Sequence, residues 1–182
     1  MRAVKFAAAG FAAFFLAACA QLQTAPSDNT VFELNARLAA RYGAESFSGS
    51  LAWRHAERND ELLITTPIGQ GVARIVRDGG RVTLTTAEPR EYRAADAESL
   101  TQEVLGFRLP LTGLADWVRA RPSGDAPFKE TKASDGRLQK LEQNGWTIEY
   151  LEYGAKGQET LPSRLRLSYP GIELRLAISA WK

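Results

Sequence analysis

Alternation between apolar and polar residues, repeated in short runs between turn signals, limits this chain to a mainly β fold. In the last run Ile172, Leu174, Leu176, Ile178 and Ala180 alternate with Glu173, Arg175 and Ser179. Side chains of a strand point to opposite faces in turn, so this run has one wet and one apolar face. Phe47, Gly49, Leu51 and Trp53 follow the same rule, and runs at 62–66, 72–77 and 82–86 succeed one another at short intervals. Their separators, Asn59-Asp60, Pro67-Ile68-Gly69 and Asp78-Gly79-Gly80, are turn formers. Asn144-Gly145 and Pro170-Gly171 predict two more hairpins, joining 136–143 to 146–153 and 164–169 to 172–181. At 31–42 Phe32, Leu34, Ala36, Leu38, Ala40 and Tyr42 share one parity, although the Ala and Leu content also suits a helix. Between Asp96 and Val118 the period lengthens. Asp96 can cap a helix carrying Leu100, Val104 and Phe107 to near Gly106, and a second short helix over 111–118 follows Pro110.

Roughly ten strands around a helical insert predict a long antiparallel sheet that curls into an incomplete β-barrel, with the helices as a lid. Such a sheet encloses either a packed core or an apolar cavity. Phe47, Leu51, Trp53, Trp146, Ile148, Leu176 and Ile178 on strands, with Leu100, Val104, Leu114 and Trp117 on the lid, serve equally in either.

The first residues constrain location. Arg2 and Lys5 precede an apolar run from Phe6 to Leu16 and then small residues before Cys19, the layout of a secretory signal too short to span a bilayer permanently. Leu16-Ala17-Ala18-Cys19 resembles the bacterial lipobox, which implies lipid on the Cys19 thiol, removal of residues 1–18 and acylation of the new amino terminus. One acyl chain binds a membrane marginally, at about 0.8 kcal/mol per buried methylene, and two or three anchor it lastingly. Ala20, being other than Asp, implies by the same resemblance sorting to the outer membrane. Residues 19–30 read as a polar tether and 31–182 as one domain.

The chain has 23 Lys and Arg against 21 Asp and Glu, and the signal removes two cations and no acid. The remainder balances, with no polybasic run, which argues against nucleic acid and against electrostatic membrane docking. His55 is the one histidine, in a charged stretch that reads as a solvated strand end, and Glu57, Asp60 and Glu61 beside it read as a wet turn. No G-x-S-x-G elbow, ligand cluster or phosphate loop accompanies them, so neither catalysis, metal nor cofactor is expected. Thr66-Pro67-Ile68-Gly69 suits a type I turn with Ile68 at its tip, where burial elsewhere would gain roughly 1.5–3 kcal/mol. In a tethered protein such a tip can meet lipid.

These landmarks resemble the LolB family of outer-membrane receptors for lipoproteins. The likeness runs from about Phe32 to Trp181. It rests on Ala36-Arg37-Leu38, Phe47-Ser48-Gly49 with Trp53, Pro67-Ile68-Gly69, and Leu109-Pro110-Leu111 with Leu114, Trp117 and Pro122. Gly145-Trp146 with Tyr150, Leu161-Pro162, and Leu176-Ala177-Ile178 with Trp181 complete it. The resemblance implies a barrel cavity that takes acyl chains of triacylated lipoproteins from a LolA-like periplasmic carrier. It also implies an apolar loop residue, here Ile68, that helps place them in outer-membrane lipid. The expected protein is a monomer on the periplasmic face of the outer membrane, held through Cys19. Ile68 stands for the usual Leu, Ala36 for a Gly before Arg, and Ala120 for a Gly before the Pro-containing turn. The rival expectation is an outer-membrane scaffold lipoprotein that binds a protein partner and has no lipid cavity.

Overall fold

Runs of period two become ladders wherever a turn lays one beside the next, and this chain does so along most of its length. The computed structural model describes residues 29–155 and 160–182. Its elements are β1 (Thr30–Tyr42), β2 (Glu45–Ala56), β3 (Asn59–Thr65), β4 (Gly71–Asp78), β5 (Arg81–Thr86), β6 (Glu91–Ala94), α1 (Ala97–Leu105), α2 (Leu111–Trp117), β7 (Phe128–Lys132), β8 (Leu138–Gln143), β9 (Trp146–Tyr153), β10 (Pro162–Tyr169) and β11 (Ile172–Trp181). All strands belong to one sheet ordered β6-β5-β4-β3-β2-β1-β11-β10-β9-β8-β7. β1 lies at its centre, antiparallel to β2 on one side and β11 on the other.

The choice at 31–42 falls to a strand. Phe32, Leu34, Ala36, Leu38 and Ala40 are all buried, which period two achieves on one face and a helix would scatter around its surface. Asn144 and Gly145 both have positive φ, as a two-residue type I′ hairpin requires. Eleven strands form where roughly ten are expected. The two that alternation does not reveal, β6 and β7, are the sheet's edges, and neither contributes a buried residue. An edge strand has no apolar face to advertise, and charged side chains there discourage pairing with other chains.

Asp96 caps α1, accepting from the Glu98 N–H at 3.2 Å and the Ser99 N–H at 2.9 Å. α1 buries Ala97, Leu100 and Thr101; α2 buries Leu111, Leu114, Ala115 and Trp117. One cluster of buried apolar side chains joins β1 to β5, β8 to β11 and both helices. An eleven-stranded sheet can direct one face into a single core only by curling, and the helices cover its open side.

α2 is fastened to the sheet by polar bonds. Trp117 Nε1 donates to Gln143 Oε1 at 2.8 Å, and the Tyr150 hydroxyl donates to the Trp117 carbonyl at 3.0 Å. Gln143 Nε2 also donates to the carbonyls of Ser123 and Ala126, both at 2.9 Å. Gln143 is only 3% exposed, so these bonds use nearly all the polar capacity it brings into the interior.

Candidate functional site: an apolar interior with an exposed loop

The loop between β3 and β4 is bonded at its base and apolar at its tip. Gly69 N–H donates to the Thr66 carbonyl at 2.9 Å, Thr66 N–H to the Gln70 carbonyl at 2.8 Å, and Gln70 N–H to Thr66 Oγ1 at 3.1 Å. Gly69 has φ +86°, which completes a turn followed by a left-handed glycine. Pro67 fixes its own φ. These constraints hold Ile68 outward at 81% exposed, against at most 46% for any other large exposed apolar side chain among the described residues.

Leu51, Trp53, Leu100, Leu114, Trp117, Trp146, Ile148, Leu176 and Ile178 are all buried in the one core cluster. Phe47 and Val104 pack against it while keeping partial exposure. The strands bring seven of these eleven together by parity, and the four on the lid, Leu100, Val104, Leu114 and Trp117, arrive from the opposite side. In this structure they lie against one another, so an entering hydrocarbon must displace side chains or lid. Cys19 lies outside the described residues.

His55 and Asp60 correct the expectation of a wet turn. His55 is 8% exposed and Asp60 2%. Asp60 Oδ1 accepts from Trp53 Nε1 at 2.8 Å and lies 2.7 Å from His55 Nδ1, while Arg77 Nε reaches Oδ2 at 2.5 Å. Burial alone would push the Asp60 carboxyl up. The bonds from His55 and Trp53 and the charge of Arg77 outweigh it and hold the group below the usual carboxylate value. The row lies inside the sheet at the end away from Ile68, beside a cleft of about 400 Å³ between the β4–β5 turn and the helices. Charge patterning misses it because Arg77 is distant in sequence and only the β3–β4 ladder brings it to Asp60. Sequence reading also misses that Phe107 stacks on Phe47 and meets Tyr42 at the loop end. Gly49, a glycine inside a strand, is the available signal there.

Comparison with known proteins bears on this arrangement. The family described as "Outer membrane lipoprotein LolB" matches residues 30–181. The outer-membrane lipoprotein LolB of Thiobacillus denitrificans is 42% identical over 152 residues, covering 82% of this chain and 78% of that protein. That of Nitrosomonas europaea is 38% identical over 156 residues, covering 85% and 74%. Among solved structures, a LolA superfamily protein from Nitrosomonas europaea superposes with a TM-score of 0.54 at 14% identity, over 85% of this chain and 86% of that one. That likeness concerns the fold: a mostly β, open antiparallel sheet with helices. On the extent of the family match and the identity of these relatives, the chain belongs to the LolB family.

Proposed function

We propose that this protein localises lipoproteins to the outer membrane, accepting them from a LolA-like periplasmic carrier by their acyl chains and passing those chains to the bilayer. Acyl chains exposed to water cost about 25 cal/mol for each Å² of apolar surface, so triacylated cargo travels only from one apolar host to the next. Direction then follows the difference in binding free energy between hosts, without ATP. The interior between sheet and lid, with Leu51, Trp53, Ile148 and Leu176 on one side and Leu100 and Leu114 on the other, is the receiving host. Lipid on Cys19 holds the monomer at the periplasmic face, beside the final and largest apolar sink.

The observation that carries the reading is Ile68, a β-branched apolar side chain held 81% exposed by a bonded loop on a member of a lipoprotein family. Such a tip has a role when it can enter acyl chains of a bilayer. Ile68→Glu removes that affinity at a position where substitution changes stability by less than about 0.5 kcal/mol. The expected result is unchanged folding and cargo uptake with reduced transfer of cargo into liposomes. Unimpaired transfer by the variant would overturn the reading of the loop. A scaffold that binds only a protein partner differs in one readable way, since its interior would not open to a fluorescent acyl probe.

A further inference from the structure

The two ends of the interior are closed by different chemistry. At the end away from Ile68 the closure is polar, the row of His55, Asp60 and Arg77, with the Asp60 side chain wholly buried. A hydrocarbon passing there would part a buried carboxylate from its partners, and a buried charge left unpaired is strongly unfavourable. At the Ile68 end the closure is aromatic. Phe47 stacks on Phe107 with ring centroids 6.2 Å apart and planes 18° from parallel, and Tyr42 meets Phe107 at 5.9 Å. Among the described residues none of these three side chains makes a hydrogen bond. Phe107 is 2% exposed, while Tyr42 and Phe47 are half-buried and so touch both the core and the outside.

The seat of Phe47 is built for a ring. A Cβ on Gly49 would come within 2.6 Å of Phe47 Cζ and would also overlap the carbonyl oxygen of Thr65, the last residue of β3 before the Ile68 loop. The ring therefore occupies a slot left by the missing Gly49 side chain, at the foot of the loop. On the lid side α1 ends at Gly106, where a Cβ would lie 2.8 Å from the Tyr42 hydroxyl oxygen, so the end of α1 rests directly on the same rings. Rotating Phe47 out of this slot parts it from apolar neighbours and breaks no polar bond.

We propose that Phe47 is the gate of the interior, and that acyl chains of the cargo enter and leave between Phe47 and Phe107 at the foot of the Ile68 loop. This rests on the acyl-receiving function proposed above and adds to it a route and a residue. The polar end acts as the closed floor, and chains emerge beside the loop that meets the bilayer. Stopped-flow mixing of the protein with dansyl-labelled undecanoic acid tests the route. Phe47→Ala is expected to raise association and dissociation rates together, by about tenfold, as removal of a gating side chain does. Val82→Ala, beside the polar floor, is expected to leave both rates unaltered. Phe47→Leu keeps a core-compatible side chain and should shift both rates the same way should the alanine variant fold poorly. Probe that binds Phe47→Ala and Phe47→Leu with wild-type rates overturns the gate, and so does an equal acceleration by Val82→Ala. A wild-type protein that binds no probe overturns the receiving function itself, and the gate with it.

Discussion

Ala120 occupies a conformation that its side chain does not favour. It has φ +56°, in the left-handed region where an L-residue loses roughly 1–2 kcal/mol to contact between Cβ and its own backbone. The likeness to the LolB family places glycine there, and the strained angle gives the reason. Ala36, the other departure, lies opposite Leu51 where the β1–β11 register shifts, but its φ is not positive, so its backbone angle does not require glycine. Ala120→Gly should stabilise the protein by about 0.5–1 kcal/mol, the relieved strain being partly offset by a more flexible unfolded chain. In thermal unfolding that is a rise of about 1–4 °C, and an unchanged or lower midpoint would refute it. Asp60 yields a pH dependence. Its folded value is depressed, so its stabilisation is present above the unfolded carboxylate value and is lost as pH falls through the folded one. Asp60→Asn should cost about 3 kcal/mol at pH 7, because Arg77 and His55 lose their anionic partner. Urea midpoints followed from pH 6 to pH 3 should fall less steeply for the variant; parallel curves would remove Asp60 from the acid response.

How much of this was legible before the structure depends on where each element's contacts come from. The strands with one buried face were readable, since Leu174, Leu176 and Ile178 encode their own environment by parity alone. α1 was readable because its cap, Asp96, and its stop, Gly106, are local signals. β6 and β7 were not, because an edge strand is defined by its neighbour's ladder rather than by an apolar face. The fastening of α2 was hidden as well. Gln143 looks like the polar end of a strand, and its burial exists only because Trp117, 26 residues earlier, is folded onto it. The same holds for the polar floor, where a charged stretch reads as wet until β4 supplies Arg77. Of the candidate site, the membership of the interior followed from periodicity, and Ile68 from the conflict between its side chain and its place in a turn. The aromatic gate did not, since stacking of Phe47 on Phe107 joins residues 60 apart whose separate patterns say only that each is apolar.

The whole molecule is polarised by chemistry rather than by net charge. One end presents Ile68 above aromatic rings, the other a satisfied polar row, and the wall between carries charges that pair on the outer face, as Arg54 with Glu33 and Arg164 with Glu152. Under the proposed removal of residues 1–18, which takes Arg2 and Lys5, the 23 basic residues fall to 21 and equal the 21 acidic ones. Such a molecule has little long-range attraction to an anionic surface, and its approach to lipid must rest on short-range apolar contact. Cargo transfer into liposomes should therefore change by less than about twofold between about 50 and 300 mM sodium chloride, a range over which screening weakens any electrostatic docking. It should be equally indifferent to the fraction of anionic lipid. Sodium sulfate should raise transfer at matched ionic strength, because excluded salts favour apolar burial. A steep loss of transfer with sodium chloride would mean that charge brings the protein to the bilayer, and Ile68 would then act only after docking rather than as the contact that achieves it.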